Sequence, residues 1–268
     1  MQNKKASEKT WRLVQITDPH IGPSRDYCLA GIETYETFRQ VLAELGSQHP
    51  APDMIYATGD IAADGAPEAY DLFAQQMQFL EIPYGWLPGN HDQLTIMAEG
   101  LSSASYWPML EMGQWRVISL NTSVPGKVGG ALAQSELDFL EQVLNAEPDK
   151  PVIVFLHHPP LPVGCDWLDR QRIANADELE AIVRASGNVK AVFSGHVHQD
   201  FAGQWAGCDV HTAPSTCFQF LPNSPEFALS DQSPGYRWID LRPDGSIDTG
   251  VEFLKETGQM VDHKAVGY

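Results

Sequence analysis

Five times in this sequence an apolar run of strand length ends in residues that suit metal ligation. The segments are LVQITDPH (13–20), MIYATGD (54–60), LPGNHD (87–92, after Ile82 to Trp86), VIVFLHH (152–158) and AVFSGHVH (191–198). Stretches with helical spacing separate them. Ile32, Tyr35, Phe38, Leu42 and Leu45 fall on one helical face, as do Ala69, Leu72, Phe73, Met77 and Leu80, and later Leu137, Leu140 and Leu144. Asn175 followed by Glu178 reads as a capped helix start before Leu179. This alternation predicts repeated β-α units and an α/β fold class. In an open α/β sheet the carboxyl ends of the strands form the binding edge, so five distant segments are expected to converge there.

Taken singly, the motifs are weak. Asp18-Pro19-His20 reads equally as a capped turn, Gly59-Asp60 as a turn before a helix at Pro67, and a lone histidine is more often structural than ligating. Their common layout changes the balance, because six of the nine histidines and Asp18, Asp60 and Asp92 all stand at these strand ends. The ligand count exceeds one coordination shell. Asp18, His20 and His198 are assigned to one ion, Asn90, His157 and His196 to a second, and Asp60 to a bridge between them. Nitrogen and oxygen donors without thiolate suit Mn, Fe or Zn and disfavour Ca or Mg. Paired divalent ions are the usual means of displacement at phosphorus. Two such ions against Asp18 and Asp60 leave two positive charges, which a hydroxide and a phosphodiester monoanion neutralise. A phosphomonoester dianion overshoots, so diesters are the expected substrates.

Composition narrows the partners. The 268 residues are 43% hydrophobic, enough to bury one large core, and neither repeats nor a low-complexity linker divides the chain, so residues 1–268 read as a single domain. The formal charge of -18 repels nucleic acid and anionic membranes. No apolar run approaches the ~18 residues of a membrane span, and the start, MQNKKASEKT, is polar. Cys28, Cys165, Cys208 and Cys217 are scattered, without C-x-x-C spacing, which points to buried thiols in a reducing cytoplasm. The stretch from His158 to Asn175 is long for a connection and reads as an ordered lid or as a loop folded back on the core. Residues 208–254 look mainly β, with strands at Tyr236 to Leu241 and Ile247 to Phe253.

In this order, D-x-H, G-D, G-N-H-D, H and G-H-x-H resemble the calcineurin-like metallophosphoesterase superfamily over residues 13 to 198. Outside the metal motifs, HHPPLPVGCDWLDRQRIANADEL (157–179), APSTCFQF (213–220) and PGYRWIDL (234–241) resemble the bacterial class III 3',5'-cyclic-AMP phosphodiesterases. The resemblance implies a four-layer α-β-β-α sandwich with a dinuclear metal site at the strand ends, and the ligand sets given above. Iron or manganese would be the favoured pair, with zinc as a further option. Of the adjacent histidines it makes His157 the ligand, leaving His158 behind it or packed on Pro159. Substrate phosphate would lie near His20, Asp60, Asn90, His91 and His198. The implied reaction is attack of a metal-bound hydroxide on 3',5'-cyclic AMP, opening it to 5'-AMP. His91, carrying no metal, would hydrogen-bond the phosphate and protonate the leaving oxygen, with Asp92 steadying its ring. Trp167, Phe218 and Phe220 are candidates for stacking on the base, or ordinary core aromatics. His49, His211 and His263 read as structural or solvated. Open alternatives are other diesters on the same scaffold (glycerophosphodiesters, 2',3'-cyclic nucleotides, nucleotide pyrophosphates), phosphoproteins, or a non-catalytic interaction module. A homodimer is compatible with the fold, although no segment marks an interface.

Overall fold

Successive side chains of a strand point to opposite faces, and in this protein both faces are covered. Met54 and Tyr56 of strand Met54–Thr58 enter one core while Ile55 and Ala57 enter another. Ile153 and Phe155 of strand Val152–Leu156 share the first of these cores, whereas Val152, Val154 and Leu156 enter a third. The shared core lies between two sheets, with Leu13, Tyr56, Trp115, Phe155, Phe193 and Ile239 in it. Each large apolar side chain buried there stabilises the fold by about 1.5–3 kcal/mol. On the outer face of the first sheet, Val14, Ile16 and Ile55 meet Phe38, Leu42, Phe73 and Met77 of helices Thr34–Ser47 and Pro67–Leu80. On that of the second, Val154 and Val192 meet Leu137, Leu140, Leu179 and Val183 of helices Gln134–Ala146 and Ala176–Ser186. The result is the expected α-β-β-α layering, seen in a computed structural model that describes residues 9–47, 51–101 and 106–267. His49 lies outside these residues.

The first sheet runs Ile247–Phe253, Gly235–Leu241, Trp11–Ile16, Met54–Thr58, Tyr84–Leu87, and the last three strands are parallel. The second runs Ala202–Trp205, Cys208–Thr212, Val189–Ser194, Val152–Leu156, Trp115–Ser119, Met109–Met112, with a parallel centre and antiparallel edges. The β-rich end of the chain is divided between them. Strand Cys208–Thr212 extends the second sheet, while the hairpin Gly235–Leu241 with Ile247–Phe253 pairs with Trp11–Ile16 and closes the first. Beneath the strand ends the buried Gln15 amide donates to Thr58 Oγ1 at 2.9 Å and, across the sheets, to the Ser194 carbonyl at 3.1 Å.

Local expectations shift in three places and are met in a fourth. Ile32 belongs to a two-residue strand before the first helix, not to the helix itself. Asn175 occupies the N-cap position but caps nothing. Its amide instead accepts from the Leu132 N–H at 2.9 Å and donates to the Leu132 carbonyl at 3.0 Å, tying two segments together. The stretch from His158 to Asn175 is ordered and includes the short helix Asp166–Asp169, with Val163, Cys165, Leu168 and Ile173 buried beneath it. All four cysteines are free, and Cys28 is exposed where a buried thiol was expected. Among the described residues no helix is long and apolar enough to cross a membrane.

Candidate metal centre and substrate cleft

The backbone at the strand ends is bent sharply. Asp18, His20, Asp60, His196 and His198 all adopt left-handed φ angles between 45 and 67°, a region that non-glycine residues rarely occupy. Such strain concentrates where function over-determines the conformation. Glycines permit the close approach that follows. A Cβ on Gly89 would lie 2.1 Å from Asp60 Oδ1, and one on Gly59, itself at φ 98°, would lie 2.5 Å from His157 Nδ1. This is why the second and third motifs carry glycine before their ligands.

The bends gather side chains from both sheets around two points. At the first, Asp18 Oδ1 lies 3.4 Å from His198 Nε2 and 3.9 Å from His20 Nε2, and the two histidine nitrogens are 3.3 Å apart. At the second, His157 Nε2 lies 3.2 Å from Asn90 Oδ1 and 3.2 Å from Asp60 Oδ2. Asp60 Oδ2 is also 3.8 Å from His20 Nε2, so its carboxylate stands between the two groups, as a bridge must. His196 joins from the second sheet. Its ring centre is 5.2 Å from that of His157, and its backbone N–H donates to Asp18 Oδ2 at 3.0 Å. The far nitrogens are fixed by carbonyls: His157 Nδ1 is 2.7 Å from the Thr58 oxygen and His198 Nδ1 is 2.9 Å from the Phe218 oxygen. That leaves each Nε2 aimed inward, the arrangement that orients metal-ligating imidazoles.

Protonation suits cations. Burial opposes ionisation of Asp18 and Asp60, but facing histidines outweigh it: His198 and His157 hold Asp18 below its ordinary value, and His157 and His91 hold Asp60 well below. Burial and the charge of neighbouring histidines push His20 down to about 3 and His196 well below its usual range, so both are neutral. His157 is the exception. Burial works against its proton, yet Asp60 and Asp18 and the Thr58 carbonyl raise it to about 9, so cation binding at neutral pH must displace that proton. Two buried atoms, Asp18 Oδ1 and His196 Nε2, have no hydrogen-bond partner among the described residues. Orphaned acceptors among neutral imidazoles and anionic carboxylates fit a dinuclear divalent metal site.

The adjacent histidines separate cleanly. His158 Nδ1 pairs with the Thr122 hydroxyl at 2.8 Å and Nε2 with the Val128 carbonyl at 2.9 Å, so neither nitrogen is left for an ion. Burial and the charge of His157 push it down to about 3, and its neutral ring packs 4.6 Å from that of His196. His91 stands at the rim, its Nδ1 2.9 Å from the Ala63 carbonyl and its backbone N–H donating to Asp60 Oδ1 at 2.8 Å.

Asp92 does not steady the His91 ring, which the Ala63 carbonyl holds instead. The Asp92 carboxylate accepts from the N–H groups of Ile61, Ala62 and Gly89 at 2.9–3.3 Å and from the Tyr70 hydroxyl at 3.0 Å. It thereby clamps the turn carrying Asp60 to the turn carrying Asn90 and His91. Burial, then the nearby Asp60 charge, raise its pKa, and the backbone donors oppose this. Asp92→Ala should leave these donors unpaired at about 1–3 kcal/mol for each buried group. The expected result is a clear drop in thermal midpoint with metal affinity ~10–100-fold weaker, measured by calorimetry and metal titration. An unchanged midpoint would show the clamp to be dispensable.

An open cleft of about 590 Å³, solvent at its mouth included, leads away from the ligands. His20, Asp60, Asn90, His91, His196 and His198 form its polar end, and Val128, Trp167, Gln171, Phe220 and Phe227 line the remainder. Of the three proposed base-stacking aromatics, Trp167 and Phe220 line the cleft. Phe218 does not: it is buried behind the ligands, its ring parallel to that of His20 at 6.4 Å. Phe227, Val128 and Gln171 were not foreseen, because Phe227 and Val128 lie in Pro- and Gly-rich stretches without periodicity. Gln171 does sit in the long stretch singled out earlier. His211 packs against Phe193 at 5.4 Å, and His263 pairs with Asp231 at the surface.

The calcineurin-like phosphoesterase pattern matches residues 12–200, which include every assigned ligand. The chain belongs to this family. Members of the calcineurin-like phosphoesterase family similar to it over most of their length include the 3',5'-cyclic adenosine monophosphate phosphodiesterase CpdA of Escherichia coli K12. That relative is 36% identical, with 98% of this chain and 97% of the relative covered. A 3',5'-cyclic-nucleotide phosphodiesterase of Nostoc is 38% identical over 90% of this chain and 91% of its own length. Among solved structures, a dimetal phosphatase from Danio rerio superposes with a TM-score of 0.62 at 16% identity, covering 89% of this chain and 98% of that one, which shows the shared fold. The segment 213–220 has a task the metal motifs do not reveal. Ser215 Oγ donates to the Asp18 carbonyl at 2.7 Å, Thr216 N–H donates to the Thr17 carbonyl at 3.1 Å, and Phe218 orients His198, so APSTCFQF backs the first ion's ligands.

Proposed function

We propose that the protein hydrolyses 3',5'-cyclic AMP to 5'-AMP. The observation that carries the substrate is similarity over nearly the full chain to relatives named for that activity, including the segments outside the metal motifs. Asp18, His20, Asp60 and His198 would hold one divalent ion and Asp60, Asn90, His157 and His196 a second, with iron or manganese favoured over zinc. When bound, the pair supplies positive charge for the phosphoryl oxygens and lowers the pKa of water at the site. Among the described residues the cleft lining contains no lysine or arginine, so the phosphate meets no permanent side-chain cation there.

The chain's own residues orient the substrate and manage the leaving group. Asn90, His91 and the turn at Asp60 line the phosphate end of the cleft. With Nδ1 held 2.9 Å from the Ala63 carbonyl, a protonated His91 ring would hydrogen-bond the phosphate through Nε2 and give that proton to the departing 3'-oxygen, leaving a neutral imidazole. The reading places the enzyme in the cytoplasm with a small diester as its partner, and at -18 formal charge it includes no nucleic-acid partner.

The test is turnover of the metal-reconstituted protein on 3',5'-cyclic AMP beside 2',3'-cyclic AMP, a glycerophosphodiester and matched aryl mono- and diesters. The expected order puts 3',5'-cyclic AMP first and the aryl diester well above the monoester. Activity confined to the aryl diester would reject the substrate; equal kcat/KM for aryl mono- and diester would reject the charge balance.

A further inference from the structure

The end of the cleft opposite the ligands is unlike the rest of this acidic protein. It is aromatic, uncharged and carries one amide. Phe220 stacks on the His198 ring at 4.2 Å and is itself almost fully buried, so the aromatic wall begins one ring away from the metal centre. Trp167 meets Phe220 edge-on at 4.9 Å and Phe227 at 5.3 Å, and both Trp167 and Phe227 remain partly exposed. Val128 faces the same space and is held there by its carbonyl, which accepts from the His158 ring. Gln171 is fixed through its backbone, which donates to the Leu168 carbonyl at 2.8 Å and accepts from the Gly130 N–H at 3.2 Å, and the residue lines the cleft.

The chemistry of this wall selects a ligand group. With no side-chain charge among Val128, Trp167, Gln171, Phe220 and Phe227, it offers nothing to a second phosphate or a carboxylate. Partly exposed aromatic rings offer a flat π system a stacking surface. A glutamine amide donates one hydrogen bond and accepts another in the same plane, which matches the adjacent donor and acceptor on a base edge.

We propose that Trp167, Phe227 and Gln171 form a nucleobase subsite, the base stacking on one ring with the other against its edge, and the Gln171 amide pairing with a polar edge. This rests on the cyclic-nucleotide reading above. It goes further, in assigning recognition of the base to residues from two separated segments, 158–175 and 221–228, outside the assigned ligand set. The subsite explains how a metal centre that sees only a diester comes to prefer one attached to a base.

The experiment compares wild type with Gln171→Ala, Gln171→Leu and Trp167→Leu on 3',5'-cyclic AMP and on methyl riboside 3',5'-cyclic phosphate, in which a methoxy group replaces the base. The expected result is a fall of ~10-fold or more in the preference for cyclic AMP, seen in KM rather than kcat. Adenosine binding to the metal-free protein, followed by saturation-transfer NMR, is expected to weaken in the same variants. An unchanged preference, or adenosine binding equal to wild type in the folded variants, overturns the subsite. Failure of the wild type to hydrolyse cyclic AMP while it still binds adenosine through Gln171 rejects the proposed substrate but leaves the subsite standing.

Discussion

Replacing Asp60 by alanine is expected to leave a folded protein that holds no more than one metal ion per chain and hydrolyses its diester at least ~10⁴-fold more slowly. Several roles meet in this carboxylate. Oδ2 lies 3.2 Å from His157 Nε2 and 3.8 Å from His20 Nε2, between the two ligand groups, and Oδ1 accepts the His91 N–H at 2.8 Å. Removing it deletes the assigned bridge between the two ligand groups and loosens the turn that presents His91. Metal analysis after reconstitution, circular dichroism and turnover on an activated aryl diester measure the three consequences separately. Two ions per chain with near wild-type turnover would move the bridge elsewhere.

His91→Ala should behave differently. Both ions are expected to remain while kcat on cyclic AMP falls ~10²- to 10⁴-fold, the contribution usual for a positioned acid. The geometry separates the two roles. The His91 ring is oriented by the Ala63 carbonyl at the rim of the cleft, whereas each inward Nε2 of His157 and His198 belongs to a ligand group. A second comparison distinguishes protonation of the leaving oxygen from simple binding of phosphate. With a nitrophenolate leaving group, which departs without a proton, the loss on His91→Ala should shrink by an order of magnitude or more. An equal loss on both substrates would reduce His91 to a phosphate contact, and loss of metal would place it among the ligands.

The candidate ligand set was legible because the chemistry is written at strand ends. Apolar runs such as Val152 to Leu156 report a strand covered on both faces, and the residue that follows must emerge at the sheet edge. That logic reaches Asp18, His20, Asp60, Asn90, His157, His196 and His198 without any tertiary contact. It stops where neighbours in sequence diverge in space. His157 and His158 look alike as text, yet Thr122 and the Val128 carbonyl occupy both nitrogens of the second. Asp92 follows His91 directly, but its carboxylate turns back to the Ile61, Ala62 and Gly89 amides.

The sequence by itself determined the α/β class, the strand ends and the residue types of a two-ion site, because periodicity and local chemistry are properties of consecutive residues. The tertiary structure alone decided which sheet each β-strand of the last third would join, and which aromatics face the cleft. Phe218 lies behind the ligands while Phe227, from a stretch without periodicity, stands in front of them. The physical reason is that the direction of a side chain in a turn or connection is set by the groups packed against it, and those groups come from distant parts of the chain.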